Sequence, residues 1–171
     1  IKKKLGSNAH PLFLPIGAEE NFHGLIDLIT MKAHIYDESD KSGANFSEEE
    51  IPEDYREQAD EYREKLLEDI AAFDDRLAEK YLEGEEITME EFMDGIRKAT
   101  LSHHFVGVIP GTAFKNKGVQ KLLNAVINYL PSPLDLPPQP GHSVEDENVR
   151  VEVAPDDAKP VAGLAFKLFT D

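Results

Sequence analysis

Cysteine is absent from this 171-residue chain. That excludes disulfides and cysteine-ligated metals, and it fits a reducing compartment. Positive charge is scarce: 18 Lys and Arg stand against 34 Asp and Glu, a net charge of −16. Such a surface repels nucleic-acid phosphates and anionic membranes, so contact with either would need a local basic patch. Its complementary partner is a basic protein surface. No run approaches the ~18 apolar residues of a transmembrane helix. The first residues lack a long apolar core, so no signal peptide is expected. Nor is there a GxxxxGK[ST] phosphate loop, without which phosphates and magnesium have no cradle. The serines lack a glycine-framed elbow and the acids fall on exposed helices, so no nucleophile–base pair emerges.

What is present is enough to fold. Hydrophobic residues make up 40% of the chain, and its length suits one or two small domains with a real core. It starts at Ile1 rather than Met and stops directly after an apolar run, so both ends read as cuts through something larger. Lys2-Lys3-Lys4-Leu5-Gly6 reads either as the last turn of a helix or as a frayed basic tail. Leu12 to Gly17 is a short strand ended by its own Pro15 and Gly17. Residues 22–36 resume extended character, with a turn or bulge near Gly24 and Thr30-Met31-Lys32, giving antiparallel strands. The polar loop from Asp37 to Phe46 invites a calcium reading because Glu48 is twelfth from Asp37. The glycine is displaced to Gly43 and Lys41 holds a ligand position, which weighs heavily against it.

Ser47-Glu48-Glu49-Glu50 resembles a capping box, with Pro52 suited to a first helical position, and a helix is expected over 52–82. Tyr55, Ala59, Tyr62, Leu66, Ile70, Phe73 and Leu77 stay within about an 80° arc at ~100° per residue, one narrow buried face. Glu57, Glu61, Glu64, Glu68, Asp75 and Glu79 lie opposite, and Glu61–Lys65 can pair at i,i+4. Gly84 ends that helix. Thr88-Met89-Glu90-Glu91 starts a second, over 88–100, burying Phe92, Met93, Ile96 and Ala99. His103 and His104 point to different sides of a strand and make a poor metal pair, so a structural or solvent role is expected.

Phe105 to Pro133 organises the rest. Phe105-Val106-Gly107-Val108-Ile109 is a short buried strand, followed by Pro110-Gly111, the small residues Thr112-Ala113, and a basic loop, Lys115 to Gly118. Val119, Leu122, Leu123, Val126, Ile127 and Leu130 then recur at helical spacing until Pro131 and Pro133 stop them. Strand, small-residue turn and covering helix form half of a parallel α/β unit, and ligands bind outside the carboxyl ends of such strands.

These residues also carry a resemblance. Gly-Thr-Ala-Phe-Lys-Asn-Lys-Gly-Val at 111–119, followed by a helix ending Tyr-Leu-Pro-Ser-Pro-Leu-Asp, resembles the last nucleotide-binding motif of bacterial elongation factor G. The likeness continues in Lys-Tyr-Leu-Glu-Gly-Glu-Glu at 80–86 and Pro-Ile-Gly-Ala-Glu-Glu at 15–20. It implies that Gly111, Thr112, Ala113 and Phe114 contact a guanine base through backbone amides, with Thr112 where many members have Ser. It also implies that an acidic helix meets the C-terminal domain of the ribosomal stalk protein. The positions carried over are Glu68 and Asp75, with Ala72 between them where relatives can have an acid. Helix geometry adds Glu64. Asn116-Lys117 is not the guanine-reading Asn-Lys-x-Asp motif, since Val119 and no aspartate follows.

The expectation is therefore an α/β fold with an α+β insertion subdomain, a piece of a P-loop GTPase domain ending in the first strand of a β-barrel domain. Residues 1–16 would be a helix end and a strand of the GTPase domain and 17–104 the insertion. Residues 105–133 would be its last strand, guanine motif and C-terminal helix, 134–160 a linker, and 161–171 the barrel's first strand. Val149 to Val153 alternates like an edge strand or linker. The resemblance implies a cytoplasmic, ribosome-dependent translational GTPase that moves tRNA and mRNA, using GTP/GDP with Mg. RNA contacts would come through its other domains. For this piece alone the expectation is a monomer with no catalytic residue, cofactor or metal, off the membrane. A free-standing acidic adaptor is the alternative. A hydrolase would need a site the sequence does not show.

Overall fold

Strand order explains most of the architecture. The computed structural model describes residues 2–161, 163 and 167–169. Contacts divide the chain into two units, 1–130 and 131–171.

The first unit opens with a helical turn, α1 (Lys2–Leu5), ended by Gly6 at φ +65°. One extended segment then serves two sheets. Its first part, β1 (Ala9–Pro11), pairs in parallel with β6 (Val106–Val108), Ala9 opposite Val106. Its second part, β2 (Phe13–Ile16), begins an antiparallel meander with β3 (Gly24–Asp27), β4 (Lys32–Tyr36) and β5 (Phe46–Glu49). Leu12 is the switch between them: its N–H donates to Val108 O at 2.9 Å and its carbonyl accepts from Leu28 N at 3.1 Å. Residues 13–16 thus belong to the meander, together with residues that the expected boundary at 16 separates from them. The β3–β4 turn is set by Asp27, whose carboxylate accepts from Ile29 N at 2.8 Å and Thr30 N at 3.3 Å. All four β3 residues are buried, so both faces of that strand are covered.

The expected capping box at Ser47 to Glu50 is instead the edge of this meander. Ser47 lies opposite Ile35 in register, and its hydroxyl donates to Glu49 at 2.6 Å. Pairing with β4 outweighs the local pattern.

α2 (Glu53–Ala71) and α3 (Asp75–Glu83) replace the single helix expected over 52–82. Asp74 makes the break: its side chain accepts from Arg76 N at 3.1 Å and Leu77 N at 3.3 Å, capping α3. The apolar face is otherwise as the spacing predicts. Ala59, Leu66, Ile70 and Leu77 are buried, with Tyr55, Tyr62 and Phe73 packed against them. Gly84 closes α3 in the left-handed region at φ +67°, and Thr88 with Glu91 forms the expected capping box of α4 (Met89–Leu101). Arg63 ties α2 to the meander by donating to Leu28 O at 2.5 Å and Ile29 O at 2.6 Å, its guanidinium 4.7 Å from the Phe92 ring centre.

After β6 comes α5 (Val119–Tyr129). Its bounds match the spacing, but Leu122, Leu123, Val126, Ile127 and Leu130 are exposed. The two-stranded parallel sheet gives this helix too little to cover.

The second unit has a turn at Pro133–Asp135, capped by Ser132, and a hairpin, β7 (Gln139–His142) with β8 (Arg150–Val153). Residues 134–160 are therefore not all linker. The alternation at 149–153 does form a strand, and its partner lies in the stretch expected to be linker. The strand expected over 161–171 lies largely outside the described residues. Residues 161, 163 and 167–169 have no regular structure. The protein is a mixed α/β chain with several sheets. No helix among the described residues is long and apolar enough to cross a membrane.

Candidate functional site

The loop between β6 and α5 is built from one peptide plane outward. Thr112 N donates to Lys117 O at 2.9 Å, closing the loop on itself. Inside, a short 3-10 turn runs over Ala113–Lys115, and Asn116 follows at φ +55°. Gly118 sits at φ +88°, and a Cβ there would meet Pro110 O at 2.9 Å. A Cβ on Gly111 would lie 2.9 Å from Lys117 O. Both glycines are thus needed for the two limbs to approach. The consequence is chemical. The N–H groups of Ala113 and Phe114 donate to no acceptor among the described residues, and both residues are exposed. Phe114 is wholly in solvent beside them. The site residues Gly111, Thr112, Ala113 and Phe114 are therefore together, with two donors and an aromatic face available.

Lys117, in the expected basic loop, is not in solvent. It is 3% exposed, and its ammonium donates to Glu38 Oε1 at 2.6 Å. That hydrogen bond holds the Glu38 carboxyl below its usual range. Sequence inspection offers no sign of this pair, 79 residues apart.

The second set of residues is acidic. Glu64 and Glu68 lie on α2 and Asp75 opens α3; all three are exposed and make no ion pair with any described residue. Some of their neighbours differ: Asp60 pairs with Arg56 and Glu61 with Lys65, and Asp69 contacts His10. The three carboxylates that spacing and resemblance pick out are thus free to meet a partner. The break at Asp74 places Asp75 on a separate helix from the other two.

Several polar side chains elsewhere are engaged in structure. Asp37 and Asp40 turn their carboxylates inward on their own loop: Asp37 accepts from Ser39 N at 2.8 Å, and Asp40 from Ser42 N at 2.8 Å and Asn45 N at 2.9 Å. Those bonds, the Ser42 hydroxyl foremost, pull the Asp40 carboxyl down to about 2. His103, at φ +62°, and His104 lie in the turn before β6 rather than on the strand, and His104 stacks on Phe73. No group of three or more His, Asp or Glu among the described residues is placed to hold a metal ion. A cleft of about 560 Å³ lined by Arg76, Glu91, Asp94 and Arg97 is spanned by ion pairs, Glu91 holding both Arg76 and Lys80.

Comparison with solved structures gives a likeness of fold. No family model matches the chain. A crystal structure of a protein from Thermus thermophilus is similar to it, with 32% identity and a TM-score of 0.66 over 80% of this chain. This chain spans 20% of that protein, so the likeness is one of fold over a segment.

Proposed function

We propose that this chain is a segment of a ribosome-dependent translational GTPase of the elongation factor G kind, the enzyme that drives tRNA and mRNA through the ribosome in the cytoplasm. Its own tasks are to complete the guanine pocket of that protein and to bind the ribosomal stalk protein's C-terminal domain. The observation that supports the reading is the 111–118 loop: Ala113 and Phe114 are exposed there, and their amides meet no acceptor among the described residues. Amide donors need an acceptor, and guanine offers O6 and N7. The unpaired Glu64, Glu68 and Asp75 support the second task, because free carboxylates attract a basic surface without first breaking an internal pair. Hydrolysis of GTP with Mg belongs to the whole protein, since this sequence has no phosphate loop. The segment alone is inactive and monomeric on this reading.

Calorimetric titration tests it. Titration of this chain with GDP and magnesium should be silent. The stalk domain should give heat that falls as salt rises. Tight GDP binding by the segment, or no heat from the stalk domain at low salt, would overturn the assignment.

A further inference from the structure

One planar peptide unit, Lys117–Gly118, is gripped at both ends. Its carbonyl accepts from Thr112 N at 2.9 Å, inside the loop. Its N–H donates to the Tyr36 hydroxyl at 2.9 Å, a buried bond from the end of β4, 82 residues away. Glycine populates positive and negative φ about equally, so Gly118 by itself does not choose this orientation. The Tyr36 hydroxyl does. Once the plane is fixed, the Lys117 carbonyl fixes Thr112, and Thr112 leads directly into the Ala113 and Phe114 donors.

The rest of the contact repeats the theme. Lys117 Nζ lies 2.6 Å from Glu38 Oε1 and 6.0 Å from the Tyr36 ring centre. Asn116 Nδ2 donates to Lys41 O at 3.0 Å. A Cβ on Gly43 would stand 2.5 Å from Asn116 O, so only glycine lets the 37–45 loop close on the 110–118 loop. That loop is itself stiffened by Asp40, which accepts from three backbone N–H groups.

We infer that the segment from Tyr36 to Gly43 is a lock for the guanine-contact loop, with Tyr36 and Glu38 as positioning residues that set the direction of the Ala113 and Phe114 amides without touching nucleotide. The inference rests on the guanine-binding reading above. It gives the β4–β5 connection a task in nucleotide affinity that its distance in sequence conceals.

Two variants test it, Tyr36→Phe and Glu38→Gln. Tyr36→Phe removes one hydroxyl and leaves the Gly118 N–H buried and unpaired. Amide exchange of Gly118 and Thr112 in this chain should quicken about tenfold, the equivalent of one hydrogen bond. The β3 amides should keep their rates. Glu38→Gln takes the counter-charge from the buried Lys117 ammonium and should quicken the same two amides at least about threefold, the equivalent of an exposed ion pair; it decides the matter if Tyr36→Phe fails to fold. In the full-length protein both variants should weaken GDP binding by similar factors. The diphosphate of 2-aminopurine riboside, which lacks O6, should lose less. Unchanged exchange at Gly118 and Thr112 overturns the lock. Faster exchange with unchanged GDP affinity overturns the positioning role alone, while a wild-type full-length protein that ignores GDP overturns the guanine reading and this role with it.

Discussion

Asp74→Ala is the most informative single change outside the loop, because one carboxylate decides whether there are two helices or one. Asp74 accepts from Arg76 N and Leu77 N, and Lys98 Nζ lies 2.6 Å from its other oxygen. Losing an N-cap costs about 1 kcal/mol, within a range of about 0.5–2. Leu77 is 3% exposed, so water replaces its lost acceptor poorly and the cost falls in the upper half of that range. The pair with Lys98 adds about 0.2–1 kcal/mol, because the lysine is half exposed and keeps Asp94 at 2.8 Å. The expected loss is about 1.5–2.5 kcal/mol. Urea unfolding followed by circular dichroism at pH 7 measures it. Asp74→Asn keeps a good cap without the charge and should cost less than half as much. The pH dependence has a fixed sign. The Lys98 hydrogen bond, and then the backbone amides, hold the Asp74 carboxyl below its usual 3.8. Its stabilisation is therefore full above that value and disappears as pH falls through the lowered one, so wild type and Asp74→Ala should converge there. A loss under about 0.5 kcal/mol at pH 7, or Asn as damaging as Ala, would refute the capping argument.

Four further outcomes follow from named contacts. Reversing Glu64, Glu68 and Asp75 to lysine should weaken stalk-domain binding and flatten its salt dependence with the fold intact, as titration at two salt concentrations would show. Replacing Thr112 with a bulky residue in the full-length protein should raise the guanine-nucleotide dissociation constant in a fluorescent-nucleotide titration; no change would remove it from the pocket. Ile96→Ala empties a fully buried position on α4 and should cost about 2–5 kcal/mol in the same urea assay. His34 is buried between Phe13 and Phe46, and Glu48 Oε1 comes to 3.4 Å without making a hydrogen bond, so burial pushes its pKa below 6.5. The unfolded chain then takes up the proton first, stability falls as pH drops below 6.5, and His34→Leu should flatten part of that slope.

Periodic elements are legible in the sequence because burial imposes their period. The faces of α2 and α4, the Thr88 capping box and the Gly84 stop all follow from residues within one or two turns of each other. The break at Asp74 escapes such a reading because its flanks, Ile70, Phe73 and Leu77, keep helical spacing across it and no glycine or proline marks it. Ser47 to Glu50 misleads for the opposite reason: a sound local cap signal is overridden by strand pairing with β4. The β7–β8 hairpin is half visible, since Arg150 to Val153 alternates while Pro140 obscures its partner. A proline is tolerated there because each strand of a two-stranded ribbon is an edge.

The candidate site divides along the same line. Gly111 to Ala113 can be picked out in sequence as small residues after a strand, while Phe114 comes only with the resemblance and its exposure only with the structure. What holds them cannot. The Tyr36–Gly118 bond and the Lys117–Glu38 pair join positions about eighty residues apart, and each partner has a sufficient local reading, a strand-end tyrosine or a surface acid. Lys117 is the clearest case. Its neighbours Lys115 and Asn116 are exposed, so composition makes it one more solvated cation, whereas the structure buries it at 3% exposure. A buried ammonium is tolerated only where a counter-charge is fixed nearby. Glu38 supplies that charge from a loop whose other acids are turned inward to stiffen it, so the polar run with a calcium-like spacing is better explained as the rigid support of a single ion pair.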